Sequence, residues 1–212
     1  MLIESKYRII TTDGYQTDEN NILEEIIFPS EVKTLAAPSK VVFEGKTLNW
    51  IPSTAAALQE LEGPNCIAVQ NGIIKDYSAL TTVKLDALTS IATSGSALIR
   101  ECASLTSLSM ESLESINTSF SVFSSLGGLT TVNFPKLKTT TGTSSNAVFN
   151  SILSLTDVVL GSEGNPVTSL WTYTFKGCTQ SNLTITIYTS GGASLSGEPW
   201  GATNATIIYE EA

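Results

Sequence analysis

The chain has 212 residues, of which 42% are hydrophobic and only 15% are charged, so a folded core can form and extended disorder is disfavoured. Its net charge of −9, with 11 scattered Lys and Arg residues, disfavours binding to a nucleic-acid backbone. The sequence has no His, which excludes His-based catalytic triads and zinc sites of the H-E-x-x-H kind.

Residues 1–21 are expected to form an N-terminal cap. The segment YRIITT at residues 7–12 predicts a strand, and Asp13 and Gly14 predict a polar turn. Asp13, Asp18, Glu19 and Asn20 form either a solvated turn or a calcium site, although their spacing matches no EF-hand loop. The first ten residues contain no apolar run of signal-peptide length, so either a signal has been removed or secretion does not use that route.

An insertion is expected at residues 36–57, between repeat units that start at Leu23 and Leu58. The sequence VVFEGKTLNW within it predicts a hairpin around Glu44 and Gly45. Trp50 and Pro52 are expected to pack on the flank of the molecule, or Trp50 is an exposed anchor for a partner.

A short apolar pattern recurs through the rest of the chain. A Leu is followed by apolar residues three and five positions later at Leu23, Leu80, Leu105, Leu129 and Leu155. Further units start at Leu58, where Gly63 replaces the third apolar residue, and at Leu183. A period in the twenties is typical of leucine-rich repeats. The fold is therefore predicted to be a repeat solenoid, a β-rich right-handed stack of coils with short strands and little helix. It is one domain over residues 1–212, with about seven coils at 22–188.

The pattern also predicts which side chains point inward. Residues two apart in a strand lie on the same side, so the inward set of one coil is Leu80, Val83, Leu85, Leu88 and Ile91. A later residue is expected to close each coil, namely Leu98, Phe123, Phe149 and Phe175. A single coil buries too few side chains to persist alone, so the coils must stack.

The residues between the inward positions are predicted to form an outward strip. These residues are Thr82, Lys84, Ser107, Ser109, Thr131, Asn133, Asp157 and Val159. The strip is either a binding face or a merely solvated surface. The position after each leading Leu is Thr in five coils: Thr81, Thr106, Thr130, Thr156 and Thr184. This column is either a structural ladder or a flat hydroxyl surface that binds an ordered ligand such as a glycan or ice.

Cys102 and Cys178 are expected at buried apolar positions about three coils apart, beyond the reach of a disulfide, and the role of Cys66 is open. No Cys spacing typical of a metal site and no phosphate-binding or dinucleotide-binding Gly loop is present, so no metal and no cofactor is predicted. Residues 189–212 predict a C-terminal cap in which Trp200 plugs the last coil and a strand at 205–209 closes the sheet edge.

Several segments resemble the BspA-type leucine-rich repeat, a family common in gut Bacteroidetes. They are LEEIIFPSEVKTL from Leu23, LTTVNFPKLKTT from Leu129, FKGC at residues 175–178 and the ending GEPWGATNATIIY. The resemblance covers about residues 22–210. It implies a cell-surface or secreted protein that binds host or microbial proteins or glycans, as in adhesion. The lack of a visible signal sequence keeps open a second location, the particle of a bacteriophage that infects such a bacterium.

Three functions are weighed on these grounds. The first is a non-enzymatic binding module without nucleic-acid binding or membrane insertion, since no apolar run approaches the length that crosses a bilayer. The second is a structural part of a larger assembly. The third is an enzyme that uses paired carboxylates such as Glu111 and Glu114, although the sequence places these two residues in no evident cleft. The sequence leaves the oligomeric state open.

Overall fold

The computed structural model describes residues 9–11, 40–43, 45–49, 51, 57–143 and 146–212. These residues form a parallel β-solenoid of about seven turns with almost no helix, which confirms the predicted β-rich stack of coils. The strands are, in chain order, β1 (Ile9–Thr11), β2 (Lys40–Phe43), β3 (Thr47–Leu48), β4 (Glu60–Glu62), β5 (Ala68–Val69), β6 (Ile74–Lys75), β7 (Thr82–Lys84), β8 (Ser90–Thr93), β9 (Ile99–Arg100), β10 (Ser107–Ser109), β11 (Ser115–Thr118), β12 (Phe123–Ser124), β13 (Thr131–Phe134), β14 (Thr139–Gly142), β15 (Phe149–Asn150), β16 (Asp157–Leu160), β17 (Thr184–Thr189) and β18 (Thr206–Glu211).

Each central coil contributes one strand to each of three faces of the stack. The first face consists of two sheets, with strand orders β1-β2-β4-β7-β10 and β13-β16-β17-β18. The second face is the sheet β14-β11-β8, and the third is the sheet β15-β12-β9-β6. Strands of successive coils pair in parallel, so that Ile91, Ile116 and Thr140 are register partners on the second face. Each position of the repeat therefore forms a row along the stack.

The leading leucines lie in the interior, as the repeat predicts. Every one in the described part is fully buried: Leu58, Leu80, Leu105, Leu129, Leu155 and Leu183. The inward sets that follow Leu80 and Leu105 are buried as well, and all of these side chains belong to one continuous apolar cluster. Burial of one such Leu stabilises the fold by about 2 kcal/mol, which a coil obtains only when its neighbours cover it.

A stack of aromatic rings fills the third side of the core. The Phe149 ring lies 5.3 Å from the Phe123 ring and 5.2 Å from the Phe175 ring, between centroids. Ile99, and not Leu98, continues this row as the register partner of Phe123. The prediction of Leu98 is wrong because a bend precedes the short strand, and both Leu98 and Ile99 are buried there. Strict alternation holds only within extended backbone.

A left-handed turn follows each short strand of the third face. Asp76, Glu101, Ser125 and Ser151 have φ values of 63°, 56°, 56° and 54°, and Gly177 has 80° at the corresponding position of the next coil. Residues other than Gly, Asn and Asp rarely adopt this left-handed region because the Cβ atom is sterically crowded there. The same tight turn therefore returns the chain towards the first face in each coil.

The N-terminal part departs from the predicted hairpin around Glu44 and Gly45. β2 pairs antiparallel with β1 and parallel with β4, whereas β3 pairs in parallel with β5. Val41 and Phe43 are two apart and fully buried, so they act as inward positions of a coil. The hairpin prediction is wrong because two short apolar segments around a Gly also suit a coil corner. The Leu23 unit, the acidic residues of the predicted calcium site, Trp50 and Pro52 lie outside the described residues.

The C-terminal end contains the expected plug. Trp200 is fully buried; its carbonyl accepts a 2.8 Å hydrogen bond from the Phe175 N–H, and its Nε1–H donates to the Ser196 carbonyl at 3.1 Å. β18 pairs with β17 residue for residue and runs slightly further than predicted. Within the described residues β18 is the last strand of its sheet, so it covers β17 but leaves its own outer edge open.

Candidate binding surfaces

The predicted outward strip lies on the first face of the stack. Ser107 and Ser109 of β10 are register partners of Thr82 and Lys84 of β7. In the second sheet of this face, Thr131 and Asn133 of β13 are the partners of Asp157 and Val159 of β16. We call these eight residues the strand face. They alternate with buried residues in every strand, so they point away from the core.

The strand face is divided in the middle. β10 and β13 belong to separate sheets, so the parallel ladder breaks between Ser109 and Thr131. Just before the break, a Cβ on Gly128 would lie 3.0 Å from the carbonyl oxygens of Ala103 and Leu105, so the two coils meet closely at the turn. The sequence predicted one continuous strip, whereas the structure gives two in-register halves.

Charged groups of both signs flank the first half of the strand face. Lys40 forms ion pairs with Glu60 at 2.9 Å and with Glu62 at 2.8 Å, and these glutamates are register partners of Thr82 and Lys84. The hydrogen bond to Glu62 and, as a smaller contribution, the hydrogen bond to Glu60 raise the pKa of Lys40. The hydroxyl of Ser109 is engaged, because it donates to Asp86. The surface thus mixes hydroxyls with fixed charges.

The threonine column is a structural ladder between coils. The hydroxyls of Thr81, Thr106 and Thr156 donate to the backbone carbonyls of Gln59, Thr81 and Thr130 in the preceding coils, at 3.0, 3.4 and 3.2 Å. The hydroxyl hydrogens of three of the five threonines in the column are therefore used in hydrogen bonds between coils.

A second set of threonines is buried below the second and third faces. Thr93, Thr118, Thr140 and Thr174 are all almost completely inaccessible to solvent. The Thr174 hydroxyl donates to the Trp171 carbonyl at 2.7 Å, so the Thr140 hydroxyl donates to Thr174 at 2.9 Å. The Thr140 oxygen in turn accepts the Trp171 N–H at 2.7 Å. The sequence analysis missed this network, whose members stand at inward positions otherwise taken by apolar residues.

Exposed aromatic side chains lie at the corner between the second and third faces. Phe120 and Tyr173 are each 37% exposed, and Trp171 is half-buried. We call these three residues the aromatic corner. The Trp171 and Tyr173 rings meet edge to face at 5.9 Å, and the Lys176 ammonium lies 5.6 Å above the Tyr173 ring.

Asn146 connects the two ends of the aromatic corner. Its side-chain N–H donates to the carbonyl of Ser119, next to Phe120, at 2.7 Å, and its own carbonyl accepts the Trp171 Nε1–H at 3.3 Å. A Cβ on Gly142 would lie 2.8 Å from Trp171 Nε1, so only a Gly leaves room for the indole there. The aromatic residues of the segment WTYTF are visible in the sequence, but whether Trp171 and Tyr173 are exposed depends on the geometry of the corner.

All three cysteines are buried free thiols, as expected for Cys102 and Cys178. Burial raises the pKa of both Cys102 and Cys178 to about 11 from an ordinary value of 9.0. Burial also raises the pKa of Cys66, whose thiol donates to the Ala68 carbonyl at 3.1 Å. In the described part of the chain, no cluster of three or more His, Cys, Asp or Glu side chains is placed to hold a metal ion.

Two surfaces therefore stand out for function, the strand face and the aromatic corner. Among the residues that the structure describes, no helix has the length and apolar character needed to cross a membrane. No family model matches the sequence, and neither a curated protein nor a solved structure matches the chain.

Proposed function

We propose that this chain is a non-enzymatic binding module that presents the strand face to a macromolecular partner at a cell surface. The observation that carries the proposal is the set of small polar and charged side chains that project from paired parallel strands. A sheet holds them in fixed positions, so little conformational entropy is lost when a partner binds. Fold alone does not determine function, so the proposal depends on the chemistry of this face.

A protein is the partner class that this face favours over a glycan. Lys84 pairs with Asp86 at 3.4 Å, and Asp157 is exposed on the other half of the face. Complementary charges on a partner would set its orientation and its association rate. The resemblance of the repeat to BspA-type proteins supports adhesion and a surface or secreted location.

The test is binding of the purified protein to arrays of surface proteins and glycans, with hits quantified by biolayer interferometry. The double variant Ser107→Arg and Thr131→Arg places bulky cations on both halves of the strand face. We expect it to weaken binding at least about tenfold. The matched control, Ser90→Arg and Ser104→Arg, adds the same charge at exposed serines off this face and should change affinity less than about twofold. Equal losses in both variants would reject the strand face.

Glu111 and Glu114 are given no catalytic role in this proposal. Both side chains are exposed, and Glu114 pairs with Lys138 at 3.0 Å. Hydrolysis of a polysaccharide panel that is abolished by either Glu→Gln substitution would overturn this assignment.

The second candidate is a structural part of a larger assembly, such as a bacteriophage particle. The open edge of β18 favours it, since Ile208 on this strand is 38% exposed and an unpaired strand edge can pair with another chain. Sedimentation analysis over a wide concentration range tests it. Self-association that Ile208→Lys abolishes would support an assembly role, whereas a monomer at every concentration would oppose it.

A further inference from the structure

We infer that β18 pairs antiparallel with β18 of a second copy of this chain, about a two-fold axis at Ile208, so that two stacks join end to end. The inference rests on the second candidate function, an assembly role, and names the partner of the strand edge that this candidate uses. It depends on β17, β18 and the turn before β18, all of which the structure describes.

One side of β18 carries backbone groups that point away from the stack. The Thr206 N–H donates to the Leu183 carbonyl at 2.8 Å, and β17 and β18 then pair residue for residue. Because backbone groups alternate in direction along a strand, the even-numbered residues bond to β17. The groups on the open side therefore belong to Ile207, Tyr209 and Glu211, and a partner strand has to bond to these.

One antiparallel register suits these backbone groups best. With Ile208 opposite its own copy, Ile207 stands opposite Tyr209 on both sides of the axis, and each such pair exchanges both N–H···O bonds. An axis at Ile207 instead places Tyr209 opposite Ala205, whose N–H already donates to the carbonyl three residues earlier at 3.1 Å. An axis at Tyr209 places Glu210 opposite Ile208, which desolvates a carboxylate against an aliphatic side chain.

The side chains on both sides of the joined sheet also match in this register. The two Ile208 residues exchange no backbone bonds, and in such pairs the Cα atoms are about 4.5 Å apart and the side chains are closest. Ile208 is 38% exposed in the single chain, so the contact removes apolar surface from water. On the core side, Ile207 and Tyr209 are half-buried against the apolar cluster, and pairing places each beside the other.

The acidic residues favour an antiparallel pair over a parallel one. Residues 190–212 contain Glu198, Glu210 and Glu211 and no Lys or Arg. A parallel pair in register would bring the two Glu210 residues within about 4.8 Å of each other. In the antiparallel pair Glu210 faces Thr206, whose hydroxyl can donate to a carboxylate. The two Glu210 residues then lie about 14 Å apart along the strands, beyond the Debye length of about 8 Å at physiological ionic strength.

The test measures self-association of the whole protein by sedimentation velocity over a wide concentration range. We expect the parent to dimerise reversibly and Ile208→Lys to weaken the dimer at least about tenfold, because two ammonium groups would meet at the axis. The control, Leu153→Lys, adds the same charge at a side chain that is 63% exposed elsewhere, and it should dimerise like the parent. Urea denaturation of both variants checks that the fold is kept.

Disulfide trapping with oxidised glutathione measures the register. Ile208→Cys should cross-link into a dimer, because its two Cα atoms would lie about 4.5 Å apart. Thr206→Cys should not, because its two copies lie about 14 Å apart, whereas Thr206→Cys combined with Glu210→Cys should cross-link again. The three native thiols are buried, so the parent should not cross-link.

The possible failures are distinguishable. Equal dimerisation of Ile208→Lys and the parent, or trapping of Thr206→Cys as efficient as that of Ile208→Cys, would overturn the inference and leave assembly through another surface. A monomer at every concentration would reject both the inference and the second candidate function. If that monomer binds an array protein and Ile208→Lys does not, β18 accepts a foreign strand and the inference is wrong. The strand face is tested separately, by its own variants.

Discussion

At the scale of single residues, the buried threonines show how polar groups are placed in an otherwise apolar core. Thr140 accepts the Trp171 N–H and donates to Thr174, so both of its hydrogen-bonding functions are used. A hydroxyl in this position ties one coil to the next by side chains as well as by the backbone. The leucines alone would not fix Trp171 at the corner.

We predict that Thr140→Val destabilises the protein by about 1–3 kcal/mol, because the Trp171 N–H loses its acceptor in a buried place. Val has nearly the same shape, so little packing is lost. Chemical denaturation measures the free energy of unfolding. Thr141→Val, at an exposed position of the same strand, is the control and should change it by less than about 0.5 kcal/mol. Equal effects of the two substitutions would contradict the role of the network.

The buried thiols predict a loss of stability in alkali. Burial raises the pKa of Cys102 and Cys178 to about 11 in the folded protein, from an ordinary value of 9.0. The unfolded chain therefore loses these protons first, and the free energy of unfolding falls as the pH rises from about 9 to about 11. Below that range the stabilising contribution is complete.

The measurement is urea denaturation at a series of pH values for the parent and for the Cys102→Ala and Cys178→Ala double variant. The variant is less stable overall, but its free energy of unfolding should fall less steeply between about pH 9 and 11. Parallel curves for the two proteins would show that other groups cause the alkaline loss.

At the scale of the elements, glycines in left-handed turns differ in the space that surrounds them. Gly177 has a φ of 80°, and a Cβ there would lie 2.7 Å from the Ser151 hydroxyl oxygen. Gly164 has a φ of 74° with nothing within 4 Å of the same Cβ. Substitution of the two glycines therefore distinguishes the cost of backbone strain from the cost of steric contact between coils.

We predict that Gly164→Ala costs about 1 kcal/mol, from backbone strain alone, and that Gly177→Ala costs more because the neighbouring coil must also shift. Thermal denaturation of both variants checks this order. A smaller loss for Gly177→Ala than for Gly164→Ala would mean that the contact with Ser151 is relieved without cost.

The sequence predicted the elements with long apolar periodicity and missed the shorter ones. Leu80, Val83 and Leu85 reveal an inward row because three spaced positions agree. Two-residue strands such as β9 and β12 have no period to detect, so their bounds were not predicted and Leu98 was chosen in place of Ile99. The recurring closing residues Phe123, Phe149 and Phe175 were predicted, and all three are buried on this side of the core. The eight residues of the strand face were placed outward correctly. The aromatic corner was not found, because whether Phe120 is exposed depends on a turn that has no regular spacing.

At the scale of the whole molecule, stability depends on contacts between neighbouring coils. The ladder of the first face breaks between β10 and β13, so only the second and third faces carry continuous parallel pairing across this point. Leu129 is fully buried and stands just before β13.

We predict that Leu129→Ala destabilises the protein by about 3–5 kcal/mol and separates the unfolding of the two halves of the stack. Denaturation followed by circular dichroism should change from one transition to two, or to one with a clearly lower slope. Leu153→Ala, an exposed position of the adjoining coil, should leave the curve unchanged. A single transition with the original slope would show that the second and third faces couple the halves by themselves.

The one-to-one pairing of β18 with β17 has a consequence for mechanical load. A force that pulls the C-terminal strand sideways out of the stack opens its bonds one after another, whereas a force along the strand loads all of them together. Once β18 has detached, β17 becomes the outermost strand and meets the same force in turn. A protein of this design would lengthen under tension in steps of one coil, and would yield far more readily to peeling than to shear.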